Sequence, residues 1–196
     1  MINIALFASG AGSNAAVIIK TLHQYITPQE ANVAVIITNN ENAGVINIAH
    51  ANNIPVAIIN LKKKDEAAQT DIYQTVLEQY NIDFIVLAGY LKKIPAAITH
   101  AFPQQIINIH PALLPAYGGP GMYGTKVHEA VIAAGEQQSG ITIHYVDEVY
   151  DHGAIIFQAT CAVEATDTPD SLAQKIHQLE HQWFTKTIAQ VLQSQK

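Results

Sequence analysis

At 196 residues, with 49% hydrophobic and 13% charged side chains, the chain is long and apolar enough to bury a full core and excludes disorder. A formal charge of -6 argues against nucleic acid as the main partner, although a local pocket could still take a small phosphate. The lone Cys161 excludes an internal disulfide, and no signal-peptide pattern or membrane-length apolar run is present, so the expectation is a cytoplasmic protein with no membrane partner.

Ile2 to Ala8 reads as a short strand ending in Ser9-Gly10-Ala11-Gly12-Ser13-Asn14, and a helix from Ala15 to about Tyr25 follows. Strands are expected at Asn32 to Thr38, Val56 to Ile59 and Phe84 to Ala88, with helices at Ala43 to Asn52, Glu66 to Tyr80 and Pro95 to Ala101. Such alternation means βαβ units and a mostly parallel sheet. The stretch Ile106-Ile107-Asn108-Ile109-His110-Pro111 then delivers an amide and an imidazole at a strand end, two residues apart and so on one side of the strand. That pair suits a reaction building negative charge on a carbonyl oxygen, and a polar pair closing a loop is the alternative.

The glycine- and proline-rich run Ala116 to Gly124 reads as a loop, Thr125 to Ala134 as a helix, and Ile141 to Val146 and Ala154 to Val163 as an antiparallel strand pair. Thr168-Pro169 opens a long closing helix with Leu172, Ile176, Leu179, Trp183, Ile188 and Leu192 on its apolar face. Ligands of such sheets bind at the carboxyl ends of the strands, which puts the segments after Ala8, Ala88, Ile109 and Val146 around one crevice.

Three patterns could carry chemistry besides Asn108 and His110. Gly10 to Asn14 offers N–H groups at a helix start, so a phosphate-bearing small molecule is the favoured occupant, with NAD or a structural turn as alternatives. NAD is weakened because the next strand ends in Thr38-Asn39-Asn40 rather than an acid. The acidic loop Asp147-Glu148-Val149-Tyr150-Asp151 could face His110, and Asp151 is the preferred partner because Gly153 allows a tight bend beside it. His177-Gln178-Leu179-Glu180-His181 matches a zinc pattern, but it lies in an amphipathic helix without a second cluster, so no metal is expected. Lys62-Lys63-Lys64 reads as a solvated turn.

Gly12-Ser13-Asn14, Leu87-Ala88-Gly89-Tyr90-Leu91-Lys92-Lys93-Ile94, Asn108-Ile109-His110-Pro111-Ala112-Leu113-Leu114-Pro115, and Ser139-Gly140-Ile141-Thr142-Ile143-His144 leading to Asp151 together resemble the phosphoribosylglycinamide formyltransferase family. The resemblance runs in order over nearly the whole chain. It implies a Rossmann-like open, mostly parallel sheet with helices on both faces and an antiparallel edge. It also implies one domain over 1–196, with a phosphate-binding half over about 1–105 and a catalytic and folate-binding half over about 106–196.

The implied reaction is formyl transfer from 10-formyltetrahydrofolate, as co-substrate, to the amine of glycinamide ribonucleotide in purine biosynthesis, by a monomer or homodimer. By the resemblance, protonated His110 and Asn108 stabilise the oxyanion while Asp151 raises the pKa of His110 and moves protons through water. Gly12, Ser13 and Asn14, with Glu180 and His177, hold the ribonucleotide phosphate. Leu91, Lys92, Lys93, Ile94, Asn108 and the loop Asp147, Glu148, Val149, Tyr150 and Asp151 bind the folate, and His144 supports the site. The family's arginine at the Lys92 position and an upstream arginine for the folate tail have no arginine here. Lys62, Lys63 and Lys64 are the candidates to substitute, as point charges rather than forks. The lone domain disfavours formylation of methionyl-tRNA or a sugar nucleotide, and hydrolysis of formyl-folate. A noncatalytic nucleotide-binding module is the alternative from another class.

Overall fold

A computed structural model describes residues 1–60 and 65–194, so Lys62, Lys63 and Lys64 lie outside the described residues. The chain divides into two compact units, Met1–Asn108 and Ile109–Lys196. The first holds β1 (Ile2–Phe7), α1 (Ser13–Thr21), β2 (Ala31–Thr38), α2 (Val45–Ala51), β3 (Val56–Ile58), α3 (Glu66–Gln79), β4 (Phe84–Leu87) and α4 (Ala96–Ala101). The strand β5 (Ile106–His110) passes from one unit into the other. The second unit continues with α5 (Thr125–Ala133), β6 (Gln138–Tyr145), β7 (Ile155–Ala162) and α6 (Pro169–Ser194).

The strand order is β3-β2-β1-β4-β5-β6-β7. The pairs β3–β2, β2–β1, β1–β4 and β4–β5 are parallel, and β6–β7 is antiparallel. This is the mostly parallel open sheet with an antiparallel edge that the alternation of elements predicts. In β4 all four residues are buried, as expected of a strand covered on both faces, whereas β7 alternates between exposed and half-buried residues as an edge strand does. The chain order reverses between β1 and β4, so the ends of these two strands form the switch point of the first unit.

Two expectations shift. The helix expected from Ala15 begins at Ser13, because Gly12 turns the chain at φ 80° and leaves Ser13 and Asn14 in the first helical turn. A turn of 3-10 helix over Leu22–Gln24 replaces its last residues. In α6 the buried stripe runs through Leu172, Ile176, Glu180, Phe184, Ile188 and Leu192, four residues apart, so Glu180 and Phe184 take the places expected for Leu179 and Trp183. Trp183 is half-buried, its ring 4.8 Å from that of Phe157 on β7, with the Lys186 ammonium over the ring at 5.0 Å.

Candidate active site

In the first unit the turn after β1 is built around glycine. A Cβ on Gly12 would lie 2.6 Å from Val45 Cγ2, and its φ is one that other L-residues rarely adopt. Gly12 caps α1 without a side-chain bond, which leaves the first-turn N–H groups of a nine-residue helix as donors. Ser13 is exposed and Asn14 is buried.

Ser9, which the sequence reading did not single out, ties this turn to the end of β4. Its N–H donates to the Gly89 carbonyl (3.0 Å), and its Oγ accepts from the Leu91 N–H (2.9 Å) while donating to Asn39 Oδ1 (2.5 Å). Tyr90 is buried and its hydroxyl meets that of Tyr73 at 2.8 Å, with burial pushing the Tyr90 phenol up to about 12. The stretch 91–94 is therefore anchored from within. Leu91, Lys92 and Lys93 are exposed, and Ile94 is a core residue.

Asn108 and His110 sit on β5, the amide half-buried and the imidazole 3% exposed. In the second unit His110 Nδ1 lies 3.5 Å from Asp151 Oδ2, and His144 Nε2 on β6 lies 3.6 Å from Asp151 Oδ1. One carboxylate thus stands between two histidines. His110 Nε2 is 2.8 Å from the Tyr117 carbonyl, and His144 Nδ1 is 2.8 Å from the Tyr145 carbonyl. Both ring nitrogens of His110 face acceptors, an arrangement that only an imidazolium satisfies with two N–H donors.

Burial opposes that charge. Desolvation holds the His110 pKa below the usual 6.5, the Asp151 charge and the Tyr117 carbonyl pulling it back up without overcoming burial. The contribution of Asp151 has the expected sign, and the burial of the ring outweighs it. For Asp151 burial acts upward, and His144, His110 and the Gly119 N–H at 2.8 Å together hold the carboxyl below its usual 3.8. Asp151 itself takes the left-handed conformation, at φ 55°, as does Tyr117 at φ 57°. Gly153 is needed because a Cβ there would run into the Tyr145 carbonyl, so the bend is made by Asp151 and the close approach by Gly153.

The rest of the acidic loop is more exposed than Asp151. Asp147 accepts from the Val149 N–H (2.8 Å) and pairs with His152 (3.0 Å), and Glu148, Val149 and Tyr150 are exposed. Behind the histidine, Thr142 Oγ1 donates to the Ala112 carbonyl (2.7 Å) and accepts from the Leu114 N–H (2.9 Å) and Gln158 Nε2 (2.8 Å). Those bonds fix the Leu-Leu-Pro turn.

On α6, Glu180 is 5% exposed and its Oε2 lies 2.9 Å from His177 Nδ1. That bond raises the pKa of the half-exposed His177 above 6.5. The sequence reading did not single out His128 on α5, which is 3% exposed. Among the described residues no group of three or more His, Cys, Asp or Glu side chains is arranged to hold a metal ion. No helix of the described residues is long and apolar enough to cross a membrane.

An open sheet of this order, with a glycine turn at its switch point and a buried histidine–carboxylate cluster, defines an α/β protein equipped for acid–base chemistry. The sequence profile of the Formyl transferase family matches residues 2–188, and the chain belongs to that family. It is 36% identical to the phosphoribosylglycinamide formyltransferase of Bacillus subtilis (strain 168) over 98% of this chain and 95% of the relative. It is 40% identical to the chloroplastic phosphoribosylglycinamide formyltransferase of Arabidopsis thaliana over 96% of this chain and 64% of that protein, so it spans somewhat under two thirds of the plant relative. Among solved structures, the phosphoribosylglycinamide formyltransferase from Bacillus halodurans is 35% identical with a TM-score of 0.90, covering 99% of this chain and 97% of that one.

Proposed function

We propose that the protein transfers the formyl group of 10-formyltetrahydrofolate to the amine of glycinamide ribonucleotide, the N-formyl product entering purine biosynthesis, and that it does so in the cytoplasm. The observation that carries the reading is the buried carboxylate between two histidines in a Formyl transferase chain whose relatives bear this enzyme's name. Attack of the amine nitrogen on the formyl carbon puts negative charge on the carbonyl oxygen. Loss of N10 then needs a proton, while the amine must give one up.

His110 suits both needs. Held neutral by burial, it takes a proton readily only as charge develops beside it, and Asp151 and the Tyr117 carbonyl are already aligned to the resulting imidazolium. Asn108 supplies a neutral donor for the oxyanion from the same strand side. Asp151 orients the ring and balances its charge, and His144 holds the other oxygen of Asp151. Gly12, Ser13 and Asn14 are assigned to the ribonucleotide phosphate, with Glu180 and His177 on the same substrate. Leu91, Lys92, Lys93, Ile94, Asn108 and residues Asp147 to Asp151 are assigned to the folate, where the buried Ile94 can take part only through its main chain. All ten cationic residues are lysines, so the folate tail carboxylates meet point charges rather than an arginine fork.

The test is the absorbance change on deformylation of 10-formyltetrahydrofolate by the purified chain, with and without glycinamide ribonucleotide. Turnover only with the ribonucleotide is the expected result. Turnover without it points to hydrolysis or another amine, and no turnover overturns the reading.

A further inference from the structure

Ser9 opens the glycine turn assigned to the ribonucleotide phosphate, yet its main-chain N–H and its hydroxyl proton are both spent inside the first unit. The residue is 8% exposed. Its N–H donates to the Gly89 carbonyl (3.0 Å), and its hydroxyl donates to Asn39 Oδ1 at the end of β2 while accepting from the Leu91 N–H (2.9 Å). A hydroxyl has one proton to give, so this serine keeps no donor for a phosphate. Two of its three bonds reach the same short stretch after β4. They bracket Gly89 to Leu91, whose first residue takes φ 83° and whose middle residue, Tyr90, is buried edge-on against the Phe7 ring at 5.1 Å with its hydroxyl 2.8 Å from that of Tyr73. The turn is thus held at three points. With its N–H turned in on Ser9, Leu91 keeps its side chain 49% exposed, next to the exposed Lys92 and Lys93.

We infer that Ser9, although it sits in the phosphate turn, is a positioning residue for the formyl-folate, holding the main chain of Gly89 to Leu91 in the conformation that the folate meets. The assignment rests on the proposed function and deepens it. The turn then carries one serine for each co-substrate, the exposed Ser13 at the start of α1 for the phosphate and the buried Ser9 for the stretch after β4. A stretch already ordered before binding spares the folate the cost of ordering it, so what Ser9 contributes is read in folate affinity rather than in the rate of the chemical step.

The experiment compares Ser9→Ala, Ser9→Thr and Asn39→Leu. Alanine removes the acceptor of the Leu91 N–H and leaves the main-chain bond to Gly89, threonine keeps the hydroxyl, and Asn39→Leu keeps Ser9 but takes away the group that orients it. Asn39 is assigned to neither substrate. Steady-state transfer is measured against each substrate with the other saturating, with binding of 10-formyltetrahydrofolate and of glycinamide ribonucleotide by calorimetry and melting temperature alongside. In Ser9→Ala the formyl-folate KM and Kd are expected to rise about tenfold and in Asn39→Leu about threefold, with kcat and the ribonucleotide KM and Kd within about twofold of wild type. Ser9→Thr should restore most of the folate affinity. If Ser9→Ala does not fold, Asn39→Leu decides alone. Unchanged formyl-folate KM and Kd in both Ser9→Ala and Asn39→Leu overturn the proposal, as does a rise confined to the ribonucleotide or an equal rise for both substrates with a lowered melting temperature. A wild-type chain that binds both ligands without transferring formyl defeats the reaction reading alone, and the calorimetric ratios then decide the role of Ser9.

Discussion

The turn after β1 offers main-chain N–H groups, an exposed serine and no charge of its own, whereas the cluster around Asp151 offers ionisable side chains taken out of water. The first depends on backbone shape. Its donors keep their character at any pH, and what can damage it is a side chain where only glycine fits. The second depends on a balance of desolvation against charge, in which burial lowers the His110 pKa while Asp151 raises it. On the proposed function, binding an anion and moving a proton thus fall to two regions with different physical vulnerabilities.

The largest way to break that division is His110→Ala. It should lower kcat by about a thousandfold, because proton transfer and oxyanion stabilisation go together, while ribonucleotide affinity by calorimetry stays near wild type. Asp151→Asn comes next, with an expected fall in kcat of about a hundredfold and little change in ribonucleotide KM, since the carboxylate acts through the ring. Gly12→Ala should do the reverse. With φ at 80° and Val45 Cγ2 2.6 Å from the new Cβ, stability should drop by about 1–3 kcal/mol in urea unfolding, and the ribonucleotide KM should rise about tenfold with the pH profile of kcat unmoved.

A smaller effect sharpens the comparison through stability against pH. The folded pKa of His110 lies below its unfolded 6.5, so the native state binds fewer protons in that interval, and stability falls as pH drops from about 6.5 toward the folded value. For Asp151 the folded pKa lies below 3.8, so its contribution is present above 3.8 and is lost as pH falls through the folded value. Urea unfolding of wild type and His110→Gln across pH 7 to 5 should show a smaller loss in the variant, in which the buried His128 keeps its own contribution.

How much of this was legible in the sequence follows the same division. Glycine spacing announces a backbone site, and the Gly10 to Asn14 turn is where the sequence put it, although the helix starts two residues earlier than its apolar pattern suggested. Asn108 and His110 were readable because strand alternation fixes their side. Asp151 was the right acid of its loop, but for an incomplete reason, since the left-handed residue is Asp151 and Gly153 serves a close contact with Tyr145. The Tyr117 carbonyl could not be read, because a main-chain acceptor carries no residue identity. Nor could the net direction of the His110 pKa, which depends on how deeply the ring is buried. His128 on α5 looked like an ordinary polar residue of its helix, and Glu180, which the resemblance named, gave no sign of lying on the buried stripe of α6. Only the rotation of each helix in its packing distinguishes them.

The measurement that bears most directly on the account is the imidazole titration of His110 by nitrogen-edited NMR in the ligand-free protein, with Asp151→Asn as the paired sample. The account predicts a wild-type midpoint below 6.5 and a lower one in the variant, because burial dominates and Asp151 opposes it. A wild-type midpoint at or above 6.5, or one that does not fall in Asp151→Asn, would contradict it.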